Sequence, residues 1–211
     1  MLLFILACVI ASSFAAEFTL PGKCPNVTLQ DNFDFSKFAG TWYTTSVFAS
    51  DGRITYDCAV MVINEDNVGY TLKESYVELD DSGERIEKSY FARVDPTFDA
   101  EDSAKFIVSH EDGDKVLQFP FAILSTDYDT YAVAYTCQSH KKRIKMHYVY
   151  AWILSRQKEK LKENAQNIVE EIISQHTDLA ANREFFVNKD FGTGCTSTQK
   201  SPQETFTNNF W

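Results

Sequence analysis

The sequence predicts an all-β fold: eight antiparallel strands in a meander, followed by one helix. Three observations predict it. Segments rich in Val, Ile, Thr, Tyr and Phe recur through the middle of the chain, with Gly, Asp and Asn clusters between them. Within several segments apolar and polar residues alternate with a period of two, the mark of a half-buried antiparallel strand. Near the C-terminus the period changes to that of a helix. From the residues alone, the meander either closes as a barrel or splits as a sandwich.

A Pro/Gly/Asn-rich leader, 20–32, precedes the first strand, 38–49. The second and third, 58–64 and 68–79, flank Glu65-Asp66-Asn67. The turn Asp80-Asp81-Ser82-Gly83 leads to the fourth, 84–94, which Asp95-Pro96 ends because proline cannot donate to a ladder. The fifth and sixth, 104–110 and 115–124, flank Glu111-Asp112-Gly113-Asp114. Segments 130–137 and 143–154 complete the eight. Alternation puts Leu117, Phe119, Phe121 and Ile123 on one face of the sixth strand, against Gln118 and Pro120. In the fourth, Ile86, Tyr90, Ala92 and Val94 oppose Arg85, Glu87, Ser89 and Arg93, and Lys88 falls on the inward parity. Met146, Tyr148, Tyr150, Trp152 and Leu154 share a face of the eighth. Leu161, Ala165, Ile168, Val169, Ile172 and His176 recur at helical spacing. They predict an amphipathic helix over 158–176 whose apolar stripe packs on the outside of the sheet.

A length of 211 residues suits one domain with a sizeable core. Leu2 to Ile10 is an apolar run followed by Ala11-Ser12-Ser13-Phe14-Ala15-Ala16, which reads as a secretory signal peptide over 1–16. The run is well short of the ~20 residues a membrane span needs. The domain then occupies 17–195, and the polar stretch 196–211 reads as a disordered tail. Secretion favours disulfides. Cys8 leaves with the signal; Cys24, Cys58, Cys137 and Cys195 remain, and four cysteines allow three pairings. None forms a Cys-x-x-Cys pair, which argues against a zinc ribbon or a thioredoxin-like site. Asn26-Val27-Thr28 is a candidate N-glycosylation site.

The net charge of −10 argues against nucleic acid or an anionic membrane surface as partner. The short cluster Lys141-Lys142-Arg143 reads as a solvated turn. His110, His140 and His147 have no metal-ligand spacing, so no metal is expected. No Gly-x-Ser-x-Gly, His-Glu-x-x-His or P-loop pattern occurs, and no catalytic residue is assigned. The expectation is a binding protein, not an enzyme. A homo-oligomer is left open.

Three motifs in order resemble the signatures of the lipocalin family. Asn32 to Tyr43 carries Gly40-Thr41-Trp42 at the start of the first strand; Thr126-Asp127-Tyr128 stands between the sixth and seventh; Trp152-Ile153-Leu154-Ser155-Arg156 ends the eighth. The resemblance implies an eight-stranded antiparallel up-and-down β-barrel with one C-terminal α-helix packed outside. It implies that Arg156 lays its guanidinium over the Trp42 indole and closes one end, a cation–π contact worth ~0.5–2 kcal/mol. Gly22-Lys23-Cys24-Pro25, Tyr131-Ala132 and Ala151 to Ser155 bring the likeness nearest to the arthropod bilin-binding proteins and insecticyanins, with crustacyanins and apolipoprotein D beside them. That branch implies the pairings Cys24–Cys137 and Cys58–Cys195. It further implies a secreted carrier of one small hydrophobic ligand, foremost a biliverdin-type bilin. The alternatives are a carotenoid or a colourless fatty acid, steroid or retinoid.

Lys88, Tyr90, Leu117, Phe119, Phe121, Tyr148, Tyr150 and Trp152 are the candidate lumen contacts. Aromatic rings stack on a planar conjugated ligand, and cations suit its propionates. Arg53 is a second cation for the mouth. Trp42 and Trp152 weigh more toward filling the closed end.

Overall fold

The computed structural model describes residues 19–52, 56–80, 82–96, 104–140, 145–189, 191–192 and 195. The signal segment, the tail, Arg53 and the Lys141-Lys142-Arg143 cluster lie outside the described residues. A two-residue strand β1 (Leu20–Pro21) and a one-turn helix α1 (Phe35–Phe38) come first. Long strands follow: β2 (Gly40–Ala49), β3 (Tyr56–Asp66), β4 (Gly69–Leu79), β5 (Arg85–Asp95), β6 (Lys105–Asp112), β7 (Lys115–Thr126), β8 (Tyr131–Ser139) and β9 (Met146–Ser155). Helices α2 (Glu163–Gln175) and α3 (Thr177–Ala181), a 3₁₀ turn (Arg183–Phe185) and a short strand β10 (Val187–Asn188) end the domain. Each long strand pairs antiparallel with the next, and β9 returns to β2 from Tyr43↔Ser155 to Ala49↔Tyr150. The meander is therefore a closed barrel and not a sandwich.

Closure requires the strands to bend, and bulges supply the bends. Register shifts occur at Thr44/Ser46 in β2, Asp57/Val60 in β3 and Ile123/Ser125 in β7. Cys58, with φ 57°, sits inside the β3 shift. Both disulfides have the pairing that the resemblance implies, with Cα separations of 5.8 Å for Cys24–Cys137 and 5.5 Å for Cys58–Cys195.

Two expectations are corrected. Phe38 belongs to α1, not to the first strand. Asp34 caps that turn, its Oδ1 accepting from the Ser36 N–H at 3.1 Å, and the turn packs Phe35 and Phe38 into the barrel end. The long helix starts at Glu163, not at 158. Lys162 holds an extended ψ of 154°, and Leu161 reaches the outer core from this non-helical run. The buried stripe of α2 is Ala165, Val169 and Ile173, while Ile168 is exposed.

Two apolar layers result. The inner one fills the barrel's lower half with Trp42, Ile63, Leu72, Val94, Phe106 and Ile123, among others. The outer one packs Tyr131, Val133, Tyr135, Val149 and Ile153 under Val169, Ile173 and Leu179. Strand β8 shows how sequence sets both. Its large residues face the helix, and its alanines, Ala132 and Ala134, face the interior. His147 lies on the outer face of β9 as its parity predicts, yet is only 1% exposed. Its ring contacts Gly22 O at 3.2 Å and Asp178 Oδ2 at 3.0 Å, which ties leader, barrel and α3 together.

Candidate functional site: a plugged barrel with an aromatic lumen

One barrel end is sealed. Trp42 is fully buried, stacks on Phe38 at 5.1 Å and donates from Nε1 to Phe38 O at 2.8 Å. The Arg156 guanidinium lies 3.7 Å from the Trp42 ring centre. It donates to the carbonyls of Tyr128 (2.8 Å), Thr41 (3.0 Å), Lys37 (3.0 Å), Phe38 (3.2 Å) and Ala39 (3.0 Å). One cation thus satisfies carbonyls from two chain segments, the 37–41 run and Tyr128, which needs the planar fork of arginine. Gly40 makes room for it: a Cβ there would stand 3.1 Å from Arg156 Nη1, and its φ of +103° disfavours any side chain. The Thr126-Asp127-Tyr128 turn supplies one of those carbonyls. Asp127 Oδ1 accepts from the N–H groups of Asp129, Thr130 and Tyr131 at 3.1, 2.8 and 3.0 Å. Against a burial that raises it, the Thr130 hydroxyl bond to Asp127 Oδ2 and then these backbone bonds lower the Asp127 pKa. All six signature residues, Gly40, Trp42, Thr126, Asp127, Tyr128 and Arg156, therefore serve the plug and its adjoining turn.

Toward the other end the inward side chains of β5 and β7 become solvent-reachable, whereas Tyr56 on β3 and Tyr150 on β9 stay buried. Along β7, Ile123 is fully buried, whereas Phe121, Phe119 and Leu117 are half-buried in succession toward the far end. Along β5, Val94 and Ala92 are buried, Tyr90 and Lys88 half-buried, and Ile86 is 38% exposed. All these side chains share the inward parity set by the β4–β5 and β6–β7 registers. A core packed throughout would bury them alike. On β5 and β7 the gradient describes one wall of a cup.

Its wall is aromatic and bears defined polar atoms. Trp152 packs on Phe121 at 5.2 Å and on Tyr150 at 6.4 Å, and donates from Nε1 to the Tyr56 hydroxyl at 3.1 Å. Tyr150 donates to Asp51 Oδ2 at 2.7 Å. Tyr148 stacks on His140 at 5.4 Å. Tyr90 donates to Glu74 and lies 5.6 Å from the His110 ring. Tyr56 and Tyr76 are 5.6 Å apart. Lys88 forms an ion pair with Glu78. Burial raises the Glu74 pKa above its ordinary 4.5, opposed by the Tyr90 bond. Burial, with Glu78 and Glu74 nearby, pushes Tyr76 up to about 12.

The Glu74 shift has a sign that can be tested. An acid whose folded pKa is raised binds its proton more tightly when folded, so its charge opposes folding. The penalty is complete above the folded pKa, shrinks as pH falls through it, and is gone below 4.5. Glu74→Gln should raise the thermal midpoint at neutral pH and converge with wild type below 4.5. A variant that melts lower at neutral pH would show that the carboxylate stabilises the barrel.

The eight candidate lumen residues all lie on inward faces, and Trp152 joins the wall between plug and mouth. The sequence reading missed Tyr56, Tyr76, Glu74, Glu78 and Asp51. The available signal was in β4, where Tyr70, Leu72, Tyr76 and two glutamates share one parity. Among the described residues no cluster suited to a metal ion occurs, and no helix is long and apolar enough to cross a membrane.

A closed antiparallel barrel, plugged at one end and lined with rings toward the other, defines a class of small-molecule-binding proteins. The chain belongs to the lipocalin / cytosolic fatty-acid binding protein family, whose model matches residues 39–178. It is 27% identical to insecticyanin-B of Manduca sexta over 179 residues, 85% of this chain and 84% of that protein. It is 27% identical to apolipoprotein D of Macaca fascicularis over 187 residues, 85% and 89% of the two chains. The solved insecticyanin structure from the tobacco hornworm superposes with a TM-score of 0.73 at 25% identity, covering 85% and 92%. Lobster apocrustacyanin A1, at 20% identity and a TM-score of 0.62, covering 85% and 94%, shares the fold.

Proposed function

We propose that this lipocalin is a secreted carrier, not an enzyme, that holds a biliverdin-type tetrapyrrole noncovalently in its lumen. The observation that carries the reading is the cup itself: inward rings at Tyr90, Phe119, Phe121, Tyr148 and Trp152 that stay solvent-reachable above a sealed plug. Phe119, Phe121, Tyr148 and Trp152 offer flat faces to a conjugated ligand, whose stacking adds to apolar burial, and the buried Tyr150 ring continues the stack behind Trp152. The resemblance to insecticyanin supports a bilin over other cargoes. Secretion accords with two disulfides, and Asn26 stands exposed on the leader as a glycan acceptor must. The described cysteines are all in disulfides, which leaves none of them as a thiol nucleophile.

A visible absorption spectrum of the protein from its native source tests the cargo. Bands in the near ultraviolet and the red are expected. A single broad visible band would instead identify a carotenoid, and a colourless protein would move the reading to a fatty acid, steroid or retinoid. Tyr150→Ala should weaken biliverdin binding about tenfold in a fluorescence-quenching titration, the loss of one stacked ring of ~1–1.5 kcal/mol. Unchanged affinity would remove Tyr150 from the site.

A further inference from the structure

Most of the lumen wall is what any apolar cargo requires, but Glu74 is not. It stands on the inward face of β4 between Leu72 and Tyr76, opposite Tyr90 on β5 and Met61 on β3. Leu72 is 2% exposed, so Glu74 sits immediately above the sealed half of the cup. Its surroundings are aromatic: Tyr90 donates to its Oε2, and Tyr56 and Tyr76 are close enough to act on its charge. A carboxyl placed among rings loses hydration, and a hydrocarbon cargo returns nothing for that loss. A carboxylate accepts several hydrogens, so the Tyr90 bond leaves acceptor capacity on the same group. The inward lysine is otherwise engaged, since Lys88 is paired with Glu78. The described inward face of β4 thus carries two carboxylate acceptors, Glu74 and Glu78, whose partners Tyr90 and Lys88 come from β5.

We propose that Glu74 is the lumen's acceptor for a nitrogen-borne hydrogen of the ligand, so that the cup selects conjugated N-heterocycles and aryl amines over hydrocarbons. The proposal rests on the reading of the lumen as the ligand site. A tetrapyrrole presents such N–H groups along its inner edge, and a protonated nitrogen would make the bond charge-assisted from both sides. A ligand carboxylate at this depth would meet Glu74 as a like charge, so a fatty acid could not enter head first.

Two probes with one three-ring skeleton isolate the interaction: 1-aminoanthracene, which has N–H donors, and anthracene, which has none. Fluorescence titrations of the intact disulfide-bonded protein are expected to give about tenfold tighter binding of the amine, the scale of a hydrogen bond to a charged acceptor. Glu74→Gln keeps an oxygen for Tyr90 but removes the charge. It should cut that preference to about twofold while leaving anthracene, which also reports an intact lumen, within about twofold of wild type. Biliverdin should weaken about tenfold in the same variant. An amine preference unchanged by the substitution, or amine and anthracene weakened in parallel, would overturn the proposal. Tighter biliverdin binding by the variant would do so too, since it would mean that a propionate faces Glu74. The two readings fail separately. If wild type rejects biliverdin but keeps a Glu74-dependent amine preference, the tetrapyrrole fails and the acceptor stands. If biliverdin binds equally well to both proteins, the acceptor fails and the carrier stands.

Discussion

Trp42→Ala is expected to lower the unfolding free energy by about 3–5 kcal/mol, the range for large aromatics removed from a core. The indole is fully buried, and its contacts leave little scope for collapse into the space. Phe38 stacks on one side and Arg156 on the other, and the Nε1 bond fixes the ring's height. The variant would also orphan the Phe38 carbonyl from one donor, although Arg156 Nη2 still reaches it at 3.2 Å. Arg156→Lys retains charge but not the fork, and an ammonium has only three donors for carbonyls spread over the Lys37–Thr41 run and Tyr128. Its cost should be about 2–3 kcal/mol, from unmet buried carbonyls. If indole and guanidinium act as one plug, Trp42→Ala with Arg156→Ala should cost less than the two singles added, by ~1 kcal/mol or more. Urea unfolding followed by far-ultraviolet circular dichroism measures all three. Strict additivity would mean that the cation–π contact is incidental to the seal.

The plug was legible through the family resemblance, whose three motifs are short and local. Gly40 and Trp42 are two residues apart and the Thr126-Asp127-Tyr128 turn bonds within itself, while that turn and Arg156 must both come from far along the chain to meet Trp42. The inward faces of β5, β7 and β9 were legible because alternation there is clean. Strand β4 defeated the same rule. Lys73 faces out while Glu74 and Glu78 face in, so charge no longer marks the solvent side. Alternation also fails across a bulge. In β2, Trp42 and Thr44 face inward, but beyond the Thr44/Ser46 shift it is Val47 and Ala49 that oppose the inward Trp152 and Tyr150. The helix start was obscured for another reason. Lys158, Lys160 and Lys162 suit an extended, solvated run as well as a helix, and Leu161 is partly buried either way. Its phase turned on Ile168 against Ile173, two isoleucines five residues apart whose burial depends on the surface beneath them.

Loss of the Cys58–Cys195 disulfide should cost about 4–5 kcal/mol on the chain-entropy scale, with strain and residual structure reducing it. Cys24–Cys137 should cost nearly as much, because the separations of 137 and 113 residues enter only as logarithms. The two crosslinks interleave in chain order, so each loss is expected to be larger when the other is already gone. What differs is the structure each one holds. Strands β2 and β3 pair only from Gly40↔Ile63 to Tyr43↔Val60. Beyond that point β10 takes the free edge of β2 through Val187↔Val47 and Asn188↔Ser46. Two residues of ladder are weak alone. They are supported by the Lys189 N–H to Thr45 O bond at 2.8 Å, by the Lys189–Asp57 ion pair at 3.2 Å, and by the disulfide just beyond. Cys58→Ser with Cys195→Ser should therefore release β10 before the barrel melts, and the Lys189 amide should exchange hydrogen at least tenfold faster relative to amides of β8 and β9. Cys24→Ser with Cys137→Ser should lower protection at both places together. If the Lys189 amide instead keeps pace with β9 in the first variant, the short ladder and the Lys189–Asp57 pair suffice to close the seam, and the disulfide acts only on the unfolded chain.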